Sequence, residues 1–145
     1  MTYLLDVNVL VALIDPNHVG HDAAHRWFES TGAAAWATCP ITENGVIRIV
    51  GNVKYPSTPG SPAEVATIVK QMRDLPGHQF WADDISLLDE SHIDATQLLT
   101  SAQVTDTYLL ALAAANEGKL ATFDRRLSPR AVKGGKAALH LIGHQ

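Results

Sequence analysis

The chain opens with a short apolar stretch, Tyr3-Leu4-Leu5, which a single acid, Asp6, separates from a second apolar stretch over Val7 to Ile14. The first stretch is too short for a helix but fits a buried strand, while the second fits a helix that the turn sequence Asp15-Pro16-Asn17 ends. A buried strand that leads directly into a helix is typical of α/β proteins. The opening of the chain therefore favours a fold in which helices cover a buried sheet.

The same alternation of strand and helix continues to the end of the chain. The other predicted helices are Asp22 to Ser30, Pro40 to Gly51-Asn52, Ser61 to Pro76-Gly77 and Val104 to Glu117, with Gly118 as a left-handed cap after the last. The other predicted strands are Ala34 to Thr38, His78 to Ala82, Lys119 to Phe123 and Ala138 to Ile142. This order predicts a three-layer α/β/α sandwich with a mostly parallel central sheet, formed as one domain over residues 1–145.

Composition restricts where such a protein works. The chain has a single cysteine, Cys39, which excludes an internal disulfide and favours a reducing compartment with a buried, inert thiol. The first residues lack the basic segment of a secretory signal, and no apolar run approaches the ~18 residues that a membrane helix needs. We therefore expect a cytoplasmic protein without a membrane partner.

Four acids fall at the edge of the predicted sheet where parallel strands end and helices begin. Asp6 and Asp124 each follow a strand, and Glu43 and Asp106 each lie in the first turn of a helix. Ligands of open α/β sheets bind in the crevice at this edge. Each acid alone also has a structural explanation, because acids in a first turn stabilise the helix dipole and acids after strands begin turns.

Together the four carboxylates create an electrostatic problem, because like charges ~4 Å apart repel by roughly 4 kcal/mol at an effective dielectric of 20. A bound cation would relieve it. Oxygen ligands without converging cysteines or histidines favour Mg²⁺ or Mn²⁺ over Zn²⁺. Asn8, two residues after Asp6, either adds an amide ligand or caps the first helix.

The positive charge of the chain is unevenly distributed. Eleven basic residues stand against fifteen acidic ones, and the net charge is −4. Five of the basic residues lie in one C-terminal segment: Arg125, Arg126, Arg130, Lys133 and Lys136. This segment either attracts a phosphate backbone to one edge of the protein or is a solvated loop.

The acids and their neighbours resemble the PIN domain, and more closely the VapC toxins of type II toxin–antitoxin pairs. The resemblance rests on Asp6-Val7-Asn8 after the first strand, Glu43 in a helix, Thr105-Asp106 at the start of the Ala- and Leu-rich helix, and Leu120-Ala-Thr-Phe-Asp124-Arg. It covers essentially the full chain. The segments 55–62 and 83–101 match no motif of the family.

The resemblance implies a Mg²⁺- or Mn²⁺-dependent endoribonuclease. Asp6 and Asp106 would be direct metal ligands, Glu43 and Asp124 would complete the acidic pocket, and Asn8 and Thr105 would assist. A water activated by the ion would attack the phosphodiester. Whether one or two ions act, and whether Glu43 or Asp124 is the general base, stays open.

The resemblance also implies partners. We expect an RNA substrate flanked by Arg125, Arg126 and Arg130, a homodimer, and a small VapB-like antitoxin whose C-terminal segment lies in a groove and places a basic side chain in the acidic pocket.

Three other classes of protein share parts of this pattern. An aspartate-based phosphatase normally has a second Asp two residues after the first, where this chain has Asn8. A receiver-like domain needs an acceptor Asp after a central strand, and residues 44–62 contain none. An inactive PIN-like scaffold that binds RNA or protein would be expected to have lost at least one acid, whereas all four are present.

Overall fold

The computed structural model of the chain describes residues 1–143; His144 and Gln145, which the single-domain prediction included, lie outside the described residues. The strands are β1 (Tyr3–Leu5), β2 (Trp36–Thr38), β3 (His78–Phe80), β4 (Lys119–Thr122) and β5 (Leu139–Leu141). The helices are α1 (Val7–Ile14), α2 (His21–Ser30), α3 (Pro40–Val50), α4 (Pro62–Arg73), α5 (Val104–Ala115) and α6 (Gly135–Ala138).

The strands form one parallel sheet in the order β3-β2-β1-β4-β5. The chain builds the sheet outward from β1 in one direction through β3 and then returns to build the other half with β4 and β5. The order therefore reverses between β1 and β4, which is where open α/β sheets bind their ligands. It differs from the 2-1-3-4-5 order of receiver domains, so that alternative is wrong.

Helices cover both faces of the sheet. Successive strand residues point to opposite faces, so Leu5 packs with α1 to α4 while Leu4 packs with α5 and α6. Both leucines are fully buried. The predicted three-layer sandwich is confirmed. Right-handed connections between parallel strands place their helices on one face of the sheet while the chain moves in one direction, and on the other face after the chain reverses direction.

Two predicted details are wrong. The long helix ends at Ala115, and the left-handed residue after it is Glu117, with φ of 57°, not Gly118. Gly118 is needed for a different reason: a Cβ there would lie 2.5 Å from the carbonyl oxygen of Thr2 and 2.8 Å from Trp81. The other boundaries moved by a few residues, and the short helix α6 was not predicted.

The single cysteine lies in the core of the protein. Cys39 is buried, and burial raises the pKa of its thiol to about 11, so the thiol is protonated and unreactive at neutral pH. In the part of the chain that the structure describes, no helix is both long and apolar enough to cross a bilayer.

Candidate active site

Asp6 lies where β1 ends, at the reversal point of the sheet. Its backbone caps α1, and its Oδ1 accepts a hydrogen bond of 2.7 Å from the Val7 backbone N–H. Its Oδ2 accepts a second of 2.7 Å from the Thr122 hydroxyl at the end of β4. The side chain is almost fully buried. Two neighbouring strand ends therefore fix both oxygens of this carboxylate.

Thr122 is the centre of a hydrogen-bond network that the sequence did not reveal. While its hydroxyl donates to Asp6, it accepts from Asn8 Nδ2 at 3.2 Å and from the Asp124 backbone N–H at 3.1 Å. Asn8 Oδ1 accepts from the Phe123 N–H at 3.4 Å. Asn8 therefore ties α1 to the end of β4, and Asp6, not Asn8, caps the helix.

Asp106 and Asp124 complete a group of three acids around one cavity of about 440 Å³. We call it the central cavity; among the residues that line it are Asp6, Asn8, His18, Tyr55, Asp106 and Asp124. Asp124 Oδ1 accepts from the Arg126 backbone N–H at 2.9 Å. For the Asp106 carboxylate, residues 1–143 provide no hydrogen-bond donor. Acids from three distant parts of the sequence thus meet, as expected.

The three carboxylates influence one another electrostatically. Burial, followed by the charges of Asp6 and Asp124, raises the pKa of Asp106 to about 6. Burial also raises the pKa of Asp6, with a further contribution from Asp124, although the hydrogen bonds from Thr122 and Val7 oppose the shift. Since Asp106 lacks such donors, its ionised form is the less compensated of the two. A nearby cation would lower both pKa values.

The donor set suits a hard divalent ion that keeps part of its water shell. Within the described residues, no three His, Cys, Asp or Glu side chains are arranged as a ready-made metal site. Mg²⁺ does not need such a site, because it usually binds through one or two carboxylates and takes its other ligands from water and substrate phosphates. The three carboxylates that line the central cavity fit this mode of binding.

Glu43 does not join the other acids. It lies in the first turn of α3 as predicted, but its side chain accepts a hydrogen bond of 2.7 Å from Thr38 and pairs with Arg73 at 3.4 Å. It lines a separate cavity against α4, together with His78. The expected pocket of four carboxylates is therefore wrong for Glu43, because β2 and α4 supply its partners on the other side of α3.

The neighbouring residue of α3 faces the acids instead. Asn44, with Arg48 one turn later, lines a groove of about 760 Å³ between α3 and α5 that also contains Asp6, Thr105 and Asp106. We call this the α3–α5 groove. Thr105 is exposed at its edge. Arg48 is a cation beside the acids that the sequence pattern did not indicate, since it lies far from the basic C-terminal segment.

The three predicted RNA-binding arginines are all exposed. Arg126 borders a cleft of about 310 Å³ that Asp106 and Asp124 also line. Arg125 precedes it in the same exposed turn, and Arg130 follows in the segment that leads to α6. Positive charge is thus placed on one side of the acids by Arg126 and on another by Arg48.

Comparison with known proteins identifies this arrangement. The model of the PIN domain family matches residues 3–133, which includes the three clustered acids and the network around Thr122. The chain belongs to the PIN-domain family.

Similar proteins place this PIN domain among the VapC proteins. It is 46% identical to ribonuclease VapC39 of Mycobacterium tuberculosis over 134 residues, which is 92% of this chain and 96% of VapC39. It is 42% identical to ribonuclease VapC44 of the same organism, over 92% of this chain and 94% of VapC44. Ribonuclease VapC38 is 37% identical over 96% of both chains.

Proposed function

We propose that this chain is a Mg²⁺- or Mn²⁺-dependent endoribonuclease that hydrolyses RNA phosphodiester bonds and acts as the growth-inhibiting toxin of a VapBC-type pair. The observation that carries the proposal is the meeting of Asp6, Asp106 and Asp124 around the central cavity. The names of the similar proteins supply the reaction class, because all three are ribonucleases.

Asp6 and Asp106 are the proposed ligands of the divalent ion, with Asp124 as the third acid of the site. When bound, the ion would supply Lewis-acid activation of water and neutralise charge on the departing oxygen. Glu43 is left out of the site, because Thr38 and Arg73 hold its carboxylate on the other side of α3.

The chain's own contribution is to hold the acids in position, and the hydrogen bonds to Asp6 offset part of the cost of ionising that buried carboxyl. The hydrogen bonds from Val7 and Thr122 fix the orientation of the Asp6 carboxylate before anything binds. Asn8 positions the Thr122 hydroxyl that makes one of these bonds. Such preorganisation removes the cost of ordering ligands when the substrate arrives.

Arginines on two sides of the acids are the proposed contacts to the RNA backbone. Arg48 lies in the α3–α5 groove and Arg126 in the cleft beside Asp124. Arg125 and Arg130 extend the basic surface from Arg126. Phosphate contacts of this kind position a nucleic acid without reading its sequence.

The α3–α5 groove is the proposed site of a VapB-like antitoxin. Apolar side chains line much of it, among them Ile41, Ile47 and Leu109, and the acids lie at one end. An amphipathic peptide with a basic residue would bury its apolar face in the groove and neutralise the acids. We further propose that the protein is a homodimer and acts in the cytoplasm.

Cleavage of RNA by the purified protein tests the enzymatic part of the proposal. Structured RNA is incubated with the protein and Mg²⁺ or Mn²⁺, and the experiment is repeated with EDTA, with Asp106→Asn and with Asp22→Asn as a matched control on the exposed surface of α2. Cleavage should require the metal, survive in the control and disappear in Asp106→Asn. Cleavage that persists in EDTA and in Asp106→Asn would place the activity elsewhere.

Expression in cells tests the toxin. The wild-type chain should arrest growth, whereas Asp106→Asn should not, and co-expression of a small DNA-binding protein encoded immediately upstream should restore growth. Arrest by both forms would separate toxicity from the proposed site. Light scattering of the purified protein tests the homodimer, which a monomeric mass at micromolar concentration would contradict.

A further inference from the structure

Two loops form one wall of the central cavity and are tied to each other. The Tyr55 hydroxyl, in the α3–α4 loop (residues 51–61), donates a hydrogen bond of 2.5 Å to the Asp15 carboxylate in the α1–α2 loop (residues 15–20). Asn17 and Ser57 form a second link at 3.4 Å. The bond from Tyr55 lowers the pKa of Asp15. Burial, followed by the interaction with Asp15, raises the pKa of the Tyr55 hydroxyl to about 12. The wall is thus fixed by a strong hydrogen bond to an ionised acid.

A backbone hydrogen bond selects the tautomer of the neutral His18 ring in this wall. Its Nδ1 accepts a hydrogen bond of 2.9 Å from the Gly20 backbone N–H. A ring nitrogen that accepts a hydrogen bond carries no proton, so the proton of the neutral imidazole lies on Nε2. The imidazole also packs beside Gly20, where a Cβ would lie 3.2 Å from Nδ1 and 3.4 Å from Cε1.

Two other side chains that line the central cavity have hydrogen-bond partners within the protein. Asn8 Nδ2 donates to Thr122, and the Tyr55 hydroxyl donates to Asp15. His18 Nε2, in contrast, has no hydrogen-bond partner among residues 1–143. The wall therefore adds a residue with an unused N–H to the lining of a cavity whose charged side chains are carboxylates.

A phosphodiester that reaches these acids needs hydrogen-bond donors as well as a cation, because its two non-bridging oxygens carry the negative charge. We propose that His18 is a substrate-binding residue whose Nε2–H donates a hydrogen bond to a non-bridging phosphate oxygen of RNA in the central cavity. The identity of the substrate rests on the proposed function. The contact itself follows from the position of His18 and from the donor that Gly20 assigns to it.

Two substitutions separate the donor from the shape of the loop. In His18→Asn, the side-chain oxygen can accept from the Gly20 N–H as in a common Asx turn, but no donor reaches the position of Nε2. In His18→Gln, the longer amide can place an N–H near that position. Thermal unfolding of both variants shows whether the loop has kept its structure.

Binding is measured by fluorescence anisotropy of a labelled single-stranded RNA, with Ca²⁺ in place of Mg²⁺. We expect His18→Asn to weaken binding by roughly tenfold or more, as the loss of a hydrogen bond to a charged group predicts, and His18→Gln to recover most of the loss. In cleavage assays, His18→Asn should raise KM more than it lowers kcat. Unchanged affinity in His18→Asn, or a loss that His18→Gln fails to recover, would overturn the proposal.

The two proposals fail in different ways. If the wild-type protein cleaves RNA and His18→Asn binds it equally well, the role of His18 is wrong and the nuclease stands. If the wild-type protein binds RNA through His18 but does not cleave it with Mg²⁺ or Mn²⁺, the nuclease is wrong and the contact stands. If the wild-type protein does not bind RNA, both are wrong.

Discussion

Replacing Asp106 by asparagine should stabilise the metal-free protein. Asparagine has nearly the same shape but no charge, and residues 1–143 offer the Asp106 carboxylate no hydrogen-bond donor that the change would disturb. Burial and the two neighbouring acids raise the pKa of Asp106 from 3.8 to about 6. At 1.36 kcal/mol per pKa unit this corresponds to about 3 kcal/mol, which solvent screening at a half-exposed site reduces to about 1–2 kcal/mol.

The pH dependence of this gain has a defined sign. A carboxyl whose pKa is higher in the folded than in the unfolded state leaves the free energy of unfolding unchanged below about pH 3.8, where both states are protonated. Above about pH 6 it lowers the free energy of unfolding by the full amount. The wild-type protein therefore loses stability relative to Asp106→Asn as the pH rises through this window. The difference should be largest at pH 7.5 and less than half as large at pH 4.5.

Thermal unfolding in EDTA measures the effect. For a chain of this size, about 1–2 kcal/mol raises the Tm by roughly 3–6 °C, whereas Asp22→Asn, which removes an exposed acid from the first turn of α2, should not raise it. Equal stability of wild type and Asp106→Asn at pH 7.5 would refute the electrostatic crowding of the three acids. A gain that is independent of pH would refute its origin in ionisation.

Three further predictions concern the surroundings of the site. Thr122→Val removes the hydroxyl at the centre of three hydrogen bonds, so it should lower the free energy of unfolding by about 1–3 kcal/mol in chemical unfolding and abolish cleavage. Thr122→Ser should retain most of the stability and most of the cleavage activity, and equal losses in the two variants would contradict this role. Tyr55→Phe removes the donor to Asp15 Oδ2, while the Asn17 N–H still donates to Oδ1, and it should cost about 1–2 kcal/mol, against little change for the control Tyr3→Phe. Because a proton must leave Asp106 before a cation binds, Mn²⁺ affinity measured by calorimetry should fall by roughly tenfold per pH unit below about 6; affinity independent of pH from 5 to 7 would count against this linkage.

The sequence predicted the fold well because the apolar pattern is unambiguous. The step from Tyr3-Leu4-Leu5 through Asp6 into α1 marks a strand end and a helix start within a few residues, and β4 with Asp124 repeats this pattern without an immediate helix. Parallel strands bring their carboxyl ends to one edge, so Asp6 and Asp124 had to be neighbours once β1 and β4 paired.

The face of a helix was harder to predict than its existence. Glu43 and Asn44 are adjacent in the first turns of α3, but successive residues are rotated by about 100° around the helix axis. Asn44 therefore lies on the side of Asp106, while Glu43 lies on the side of Arg73. The sequence gives no direct indication that α4 would provide Arg73 as a partner. Long-range pairing decided the position of the Glu43 carboxylate.

Residues whose role depends on hydrogen bonding were also missed. Thr122 reads as an ordinary strand residue, yet its hydroxyl links Asp6, Asn8 and the backbone of Asp124. Gly118 reads as a helix cap, although close approach of the Thr2 carbonyl is what requires a glycine there. Sequence patterns record burial and turn preference, but they do not record which distant polar atom a side chain meets.

Binding of Mn²⁺ to the wild-type protein and to three variants, followed by electron paramagnetic resonance at pH 7.5, tests whether Asp6 and Asp106 bind a common cation. We expect that the wild-type protein binds the ion, that Asp6→Asn and Asp106→Asn lose most of the affinity, and that Glu43→Gln keeps it. Wild-type protein that fails to bind Mn²⁺, or Asp106→Asn that binds it as tightly as the wild type, would contradict a shared cation site between these two acids.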